Sequence, residues 1–562
     1  VSKKIAHKRH AQHYLTCLDR HNKQYIRGGE SIDDALAKYD HDSQQIIFGR
    51  ERALAYAEED AQAAEMVEDY ADYGADILLL RMDIAVYRVW IEQALHYAKK
   101  LKLARAECVH HGNLGIIQRQ LRQWDMAIAN LKQAYELATG LNDIELMGLW
   151  MGNLGNVYLD MGDYPQAISY FERALQIADE LTDYRRVGSW KSNLATTLAK
   201  QKNYKQAQRL YEEAIEAHRH VGDRRGLAYT LDSLGNVYAQ MNRMDMAMQC
   251  HEDAYQIAKS LNDKRIMANA SGNLALVYER LGRYHQAVPI HQRAIDLYEQ
   301  LGDLQEVMTE THHLAQILHR LGEYDACIGY NVQLLKMTET HPNPIYELYA
   351  LSGIGKILRI RGQFEGALEC HENALRLARE IENRDAEHQQ LGFLGVTYYD
   401  MKQYSVALGY YQQAIQIAQA LNDEFARAQH LGNLGNAYNA LNQPDDAIPH
   451  FEEALKIAHQ YGHQQSIAAF TGNLGNSYQL KHAYTQAIDY YLKALEMAQA
   501  MDDKYNIAHW HNNLGVMYAF THQEERARAH YHQAIAYYQK LGIDYMARAV
   551  QTNIELTLPR AD

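Results

Sequence analysis

One feature constrains this chain more than any other: it repeats itself every 40 residues without a gap. Stepping by 40 from Asn113 gives Asn153, Asn193, Ser233, Asn273, His313, Gly353, Phe393, Asn433, Asn473, Asn513 and Asn553. The next residue is Leu in almost every step, from Leu114 and Leu154 to Leu474 and Leu514, with Ile354 the exception. Fourteen residues after the Asn stands Ala, as in Ala127, Ala167 and Ala207, with Cys327 the exception. Seven further on stands Ala again, as in Ala134, Ala174 and Ala214, with Leu334 the exception. A fixed period of this length predicts units that cannot bury an apolar face alone and must stack on their neighbours.

Each unit reads as two helices. The first carries Asn-Leu-Gly and ends near Leu-Gly-x-Tyr, as in Leu281 to Tyr284, where Gly relieves the turn and the aromatic packs over it. The second holds Ala, aromatic and Ala at helical spacing, as in Ala167, Phe171 and Ala174. Small Ala lets backbones approach, and Phe171 or Tyr411 fills the space between helices. Loops such as Leu141-Asn142-Asp143 and Leu421-Asn422-Asp423 offer turn and N-cap residues. Small-Leu-Gly, a Tyr four residues on, then Ala, aromatic and Ala resembles the tetratricopeptide repeat. The usual period of that repeat is about 34 residues; the longer form resembles the repeats of Pins-type adaptors and kinesin light chains. The resemblance implies an all-α, right-handed superhelical solenoid of antiparallel helix pairs. The expected organisation is an N-terminal helical connecting segment over 1–65 and an atypical first repeat over 66–105, where Ala94-Leu95 keeps register. Eleven 40-residue units follow over 106–545, then a capping helix over 546–562.

Composition agrees with helix throughout, since 562 residues contain only 7 prolines. A formal charge of -14 points to a soluble protein and away from nucleic acid. The basic cluster Lys3, Lys4, Lys8, Arg9, Arg20 and Lys23 reads as a solvated helix face or an inter-domain contact. Five scattered thiols without C-x-x-C fit a reducing compartment. No signal-like or membrane-spanning run is visible, so a cytoplasmic location and no membrane partner are expected.

The segment before the repeats does not repeat. His10-Ala11-x-His13-Tyr14, Gly28-Gly29-Glu30, Trp90-Ile91-Glu92-x-Ala94-Leu95 and the lead into Asn113-Leu114-Gly115 carry a second resemblance. They are similar to the region that joins the ATPase and winged-helix part to the repeats in bacterial NB-ARC/TPR signalling ATPases of the STAND class. That resemblance implies ligand sensing by the repeats, relayed to an ATPase region through the N-terminal segment. The chain departs from the full pattern in lacking G-x-x-x-x-G-K-[ST]: Gly355-Lys356 is followed by Ile357 within a repeat helix. No nucleotide, cofactor or metal is therefore expected.

The first helix lines the concave face in this repeat class, and residues three apart share a side. Asn153 with Asn156, Ser233 with Asn236, Asn433 with Asn436 and Asn473 with Asn476 therefore project together. An amide offers donors and acceptors at once and can hold the main chain of an extended peptide. Related peptide-binding repeats use these columns, which implies the same for the positions that match, Asn193, Asn273 and Asn513 included. A small residue just before the Asn, Gly152, Gly272, Gly432 or Gly472, is expected to let a ligand backbone come near. The first column fits equally a structural role in fixing the stacking register. The second is patchy, with Ile116, Thr196, Leu276, Gln316, Lys356, Val396 and Val516 in place of Asn, as a ligand site would be.

Across three consecutive units the motif fails, at His313, Gly353 and Phe393. His312, Gln316, His319, Arg320, Tyr349, Lys356, Arg359, Gln389 and Tyr399 cluster nearby, beside the unusual turn Thr340-His-Pro-Asn-Pro-Ile-Tyr-Glu347. The two readings are a centre that binds an acidic or carboxylate-bearing peptide, with Lys356 and Arg359 as anchors, and a degenerate repeat pair that bends the solenoid.

Catalysis is not expected. His110-His111, His312-His313, His509-x-His511 and His530-x-His532 diverge around a helix, unlike the i,i+4 pair of a zinc motif, and no G-x-S-x-G elbow is present. The chain reads as a non-catalytic protein- or peptide-binding array. Two roles fit it: the sensing module of a STAND-type ATPase, or an autonomous scaffold joining two proteins.

Overall fold

A computed structural model describes residues 2–27 and 31–558; Gly28-Gly29-Glu30 and the last four residues of the expected cap lie outside them. The described residues form 28 α-helices and no strand. From Ala104 to Lys540 the helices come in eleven pairs, from Ala104–Gln120 with Trp124–Gly140 to Lys504–Phe520 with Glu524–Lys540. The helix Asp544–Thr557 follows. These helix ends lie at the turns, whereas boundaries read from the Asn columns, such as 65/66 and 545/546, fall inside helices. No helix among the described residues is long and apolar enough to cross a membrane.

The regularity resides in the turns. Every twentieth residue from Lys102 to Gly542 has positive φ, between 51° and 81°, whether it is Gly162, Asn142 or Thr182. The single exception is Pro342, whose ring forbids that conformation. At Asn142 the Asp143 amide bonds Ala138 O at 3.0 Å and the Asn142 amide bonds Thr139 O at 3.1 Å, closing the helix end in a Schellman arrangement. Aspartates start the next helices: Asp163 Oδ1 accepts from the Gln166 amide at 3.2 Å, and Asp143, Asp183 and Asp423 cap in the same way. Each such cap contributes about 1 kcal/mol.

The chain divides into two compact units between Glu310 and Thr311. Within each unit, successive helices pack on one another and first helices also meet the first helices of adjacent repeats. The core of a repeat is the aromatic of the second helix lying on the Gly of the first. Phe171 is fully buried, and a Cβ on Gly155 would stand 2.7 Å from its ring.

In the first unit the helices Ser2–Arg27 and Ser31–Leu54 pair with each other and rest on Ala61–Tyr73. Part of the basic cluster is spent internally: Lys4 and Lys8 bind Asp60 at 3.1 and 2.9 Å, and Lys23 binds Asp19 at 2.8 Å. Residues 61–101 break at Gly74 and Met82 into three helices before joining the array. Trp90 is held there by the buried Arg50, whose guanidinium lies 4.4 Å from its ring, and His110 Nε2 meets Glu68 Oε1 at 2.9 Å.

Candidate functional site

The asparagine columns form hydrogen bonds along the array. Asn153 Nδ2 donates to Leu149 O one turn back, at 2.9 Å. Asn193 Nδ2 donates across the repeat boundary to Asn156 Oδ1 at 3.0 Å. Asn273 donates to Asp232 Oδ2 at 3.0 Å, and the other oxygen of Asp232 meets His251 Nδ1 at 2.7 Å. Asn513 reaches Asn476 Oδ1 at 3.5 Å, an oxygen that also accepts the Tyr491 hydroxyl at 2.7 Å, while Asn476 donates to Asn473 at 3.5 Å. Asn433, Asn436 and the exposed Asn236 make no side-chain hydrogen bond among the described residues. Their amides are open to a ligand.

The glycines before these asparagines do something other than the sequence reading expected. A Cβ on Gly152 would lie 2.3 Å from the Trp190 ring, on Gly432 2.4 Å from Phe470 and on Gly472 2.1 Å from Trp510. On Gly272 it would meet Glu310. The space beside each glycine is filled by the next repeat, so the column is a socket for a packing side chain and no ligand backbone reaches it.

That packing column fails in the middle. At Trp150, Trp190, Phe470 and Trp510 a ring fills the socket, whereas from Thr230 through Ala270, Glu310 and Ala350 to Gln390 the same register carries none. The aromatic slot of the second helix fails there too, with Asn331 where Phe171, Tyr211 and Tyr411 stand elsewhere. A cavity of about 410 Å³ opens beside Asn331 and Gln390, among the helices Leu304–Leu321, Tyr324–Thr340, Pro344–Ile360 and Arg384–Asp400. From the expected cluster it brings together His312, Gln316, His319, Arg320, Tyr349, Gly353, Lys356 and Gln389. It leaves out His313, Phe393, Tyr399 and Arg359. Arg359 is already paired, Nη1 to Asp400 Oδ2 at 2.5 Å. A second cavity, of about 520 Å³, adjoins Asn473, His509 and Trp510.

The electrostatics of the first cavity are unbalanced. The Lys356 ammonium lies 4.4 Å from the centre of the Phe393 ring, and no carboxylate among the described residues pairs with it. Burial lowers its pKa, opposed only by the Cys327 thiol. Burial, then His313 and Lys356, brings His312 down to about 4; its ring stacks on Tyr349 at 4.5 Å and its Nε2 accepts from Gln316 at 2.7 Å. His319 is lowered by burial, Lys356, Arg320 and Arg359, and its Nε2 is buried without a partner. Behind them His371, lowered to about 4 mainly by burial, stacks on Phe393 and meets Gln390 through Nδ1 at 3.1 Å. The carboxylate at the lining is Asp385, engaged by Gln389 at 3.0 Å and His388 at 3.3 Å. Burial pushes the Cys327 thiol up to about 11, so it offers no thiolate nucleophile. A cation, neutral rings and side-chain amides around a half-dry cavity suit recognition of an anion that also accepts hydrogen bonds.

For a metal, the grouping that the described residues bring together is Asp385, His388 and Asp423, with ligand atoms within 4.8 Å. Asp423 is occupied as the cap of Ala426 at 2.9 Å, and His388 Nδ1 meets His430 Nε2 at 3.2 Å. Sequence reading had no sign of this cluster, since its members stand in two repeats.

A tetratricopeptide-repeat family profile matches residues 105–181, 186–260, 266–340, 346–420, 387–460 and 466–540. No curated protein sequence matches the chain. Among solved structures, the chain resembles BtubC from P. vanneervenii at 20% identity and TM-score 0.35, over 39% of this chain and 93% of that one. It resembles a signal transduction ATPase with numerous domains, carrying a tetratricopeptide-repeat sensor, from Pyrococcus horikoshii at 16% identity and TM-score 0.49; that match covers 64% of this chain and 55% of the ATPase. Aspartyl phosphate phosphatase F from Bacillus subtilis aligns at 16% identity and TM-score 0.37, over 74% and 94%. With profile matches running through nearly all of residues 105–540, the chain belongs to the tetratricopeptide-repeat family.

Proposed function

We propose that this chain is the ligand-sensing module of a STAND-type signalling ATPase, binding a protein or extended peptide along its first-helix face without catalysing a reaction. The partner places an acidic segment in the second unit, at the cavity beside Lys356, and its main chain runs along the open amides of Asn433 and Asn436. The observation that carries this reading is the cavity itself. It occurs where Asn331 stands in the second-helix slot that carries a ring in the neighbouring repeats, and it holds an ammonium without a counter-charge. A merely degenerate repeat would fill or close such a space, since packed interiors leave few voids. The assignment to an ATPase rests on the sequence pattern of the first hundred residues.

A photo-crosslinking amino acid at Gln316, on the full chain in extract of the source cell, tests the reading. The expected product is one dominant foreign or stress-derived protein, lost when Lys356 is replaced by Met. Labelling of a constitutive pair of housekeeping proteins identifies a scaffold instead, and absence of any labelled protein overturns partner binding at this place.

A further inference from the structure

The cavity beside Lys356 holds a second unusual group, His319. Its Nε2 is buried and has no hydrogen-bond partner, and its ring lines the same space as the lysine. A buried polar nitrogen without a partner costs free energy and calls for an explanation. A water in the cavity could satisfy it, but an anion does so with greater effect, because it meets the ammonium as well.

The geometry points to a proton-coupled anion site: a small carboxylate enters the cavity, is held by Lys356, and brings a proton onto His319 Nε2. This rests on the proposed partner binding and adds its regulation. The neighbours select His319 over the other rings. His312 Nε2 already accepts from Gln316, so protonation there would break a 2.7 Å bond. His371 does not line the cavity; Phe393 lies against its ring. His319 Nε2 has no partner and its ring otherwise lies edge-on to Tyr324.

The charge inventory around it is one-sided. His312, His313 and Arg320 share its helix, Cys327 lies on the next, Lys356 and Arg359 on the third, and His371 on the fourth. The acids are few: Asp385, held by Gln389 and His388, and Asp400, held by Arg359. Burial, then Lys356, Arg320 and Arg359, lower the pKa of His319. A carboxylate within reach reverses the field and raises that pKa, so proton and anion bind together. The proton comes from solvent and goes to Nε2, and the carboxylate accepts both that N–H and the ammonium. Affinity therefore rises as pH falls through the range in which His319 takes up its proton, by up to about tenfold per pH unit for one proton taken up. It falls again near pH 4, where the ligand carboxylate itself protonates.

Calorimetric titration of the full chain decides the matter, using N-acetyl-alanine (a chain-end carboxylate), N-acetyl-glutamate amide (a side-chain carboxylate) and neutral N-acetyl-alanine amide. Runs at pH 6.5 in imidazole and in bis-tris chloride, whose ionisation enthalpies differ, read the protons exchanged. The expected result is binding of one or both acids with uptake approaching one proton, and no binding of the amide. Whichever acid binds tells whether a chain end or a side chain is preferred. Lys356→Met should abolish binding, and Lys356→Arg should retain it. His319→Gln should leave binding at pH 8 and remove the proton uptake. Asn331→Tyr, which restores the aromatic filler, should block the cavity while melting no lower than the parent. Equal binding of acid and amide, unchanged affinity in Lys356→Met, no binding of either acid, or uptake that persists in His319→Gln overturns the proposal. A protein partner captured in extract that ignores Lys356→Met would leave partner binding intact and remove this site from it.

Discussion

Asn193 donates its amide to Asn156 Oδ1 at 3.0 Å across a repeat boundary, joining the two asparagine columns 37 residues apart. The same linkage recurs, at 3.5 Å, from Asn513 to Asn476. One column supplies the donor and the other the acceptor, so part of the asparagine signal is stacking register. Asn156→Ala should therefore cost about 1 kcal/mol, read as a lower denaturation midpoint at unchanged slope. An unchanged midpoint together with weaker partner binding would assign Asn156 to the ligand instead.

The glycine sockets should tolerate no methyl group. At Gly472 an added Cβ would stand 2.1 Å from the Trp510 ring, too close for any rotamer adjustment of a fully packed indole. Gly472→Ala is expected to destabilise the second unit by roughly 1–3 kcal/mol and to red-shift the Trp510 emission. Gly329→Ala, where nothing lies within 4 Å in the middle of a helix, is the contrasting control and should stabilise by about 0.5–1 kcal/mol.

His291 carries a buried charge in the first unit. Burial would lower its pKa, but Glu279 at 2.9 Å and Glu310 at 2.6 Å override it and raise the group to about 9. Its folded pKa thus exceeds the unfolded value near 6.5. The stabilisation is fully present below about pH 6.5 and is lost as pH rises through about 9. Thermal melts from pH 7 to 10 should fall in the parent and fall less in His291→Gln, whose starting stability is lower.

The second unit should weaken in the opposite direction. His371, His430 and His511 are each held down to about 4, chiefly by burial, with His388 adding to the effect at His430 and His530 at His511. The unfolded chain binds these protons first. Stability is therefore present above the unfolded histidine pKa and lost as pH falls from about 6.5 towards 4. Replacing His430 by Phe, the residue that fills this register at Phe470, should flatten the acid limb of the melting curve.

The fold of the array was legible because, from Ala104 to Lys540, every helix begins and ends within a residue of the same count. Asn-Leu-Gly, the two alanine columns and the turn residues are local signals, repeated often enough that chance departures such as Leu334 do no harm. The cavity was legible only in outline. Its marks at Gly353 and Lys356 lay in the asparagine columns, but the side chains that leave it open, Asn331 and Gln390, lie in other registers. The second-helix slot carries a ring at each 40-residue step from Phe171 to Tyr531 except at Asn331, and that single departure marks the place. Gly152 was misread because a small residue on a helix looks the same beside a ligand and beside an indole 38 positions on. Arg359 looked like a free anchor because its counter-charge, Asp400, sits in the next repeat.

The left-handed turn residue recurs every 20 positions, yet the packing columns recur every 40. Removing one helix with its turn would keep each remaining turn sound while swapping inner and outer faces for everything downstream. Removing two keeps every first helix in the place of a first helix. Gene-level lengthening or shortening of this array is therefore restricted to even steps of helices, and variants of different reach can arise by unequal exchange between copies with the turns and alanine columns still in step.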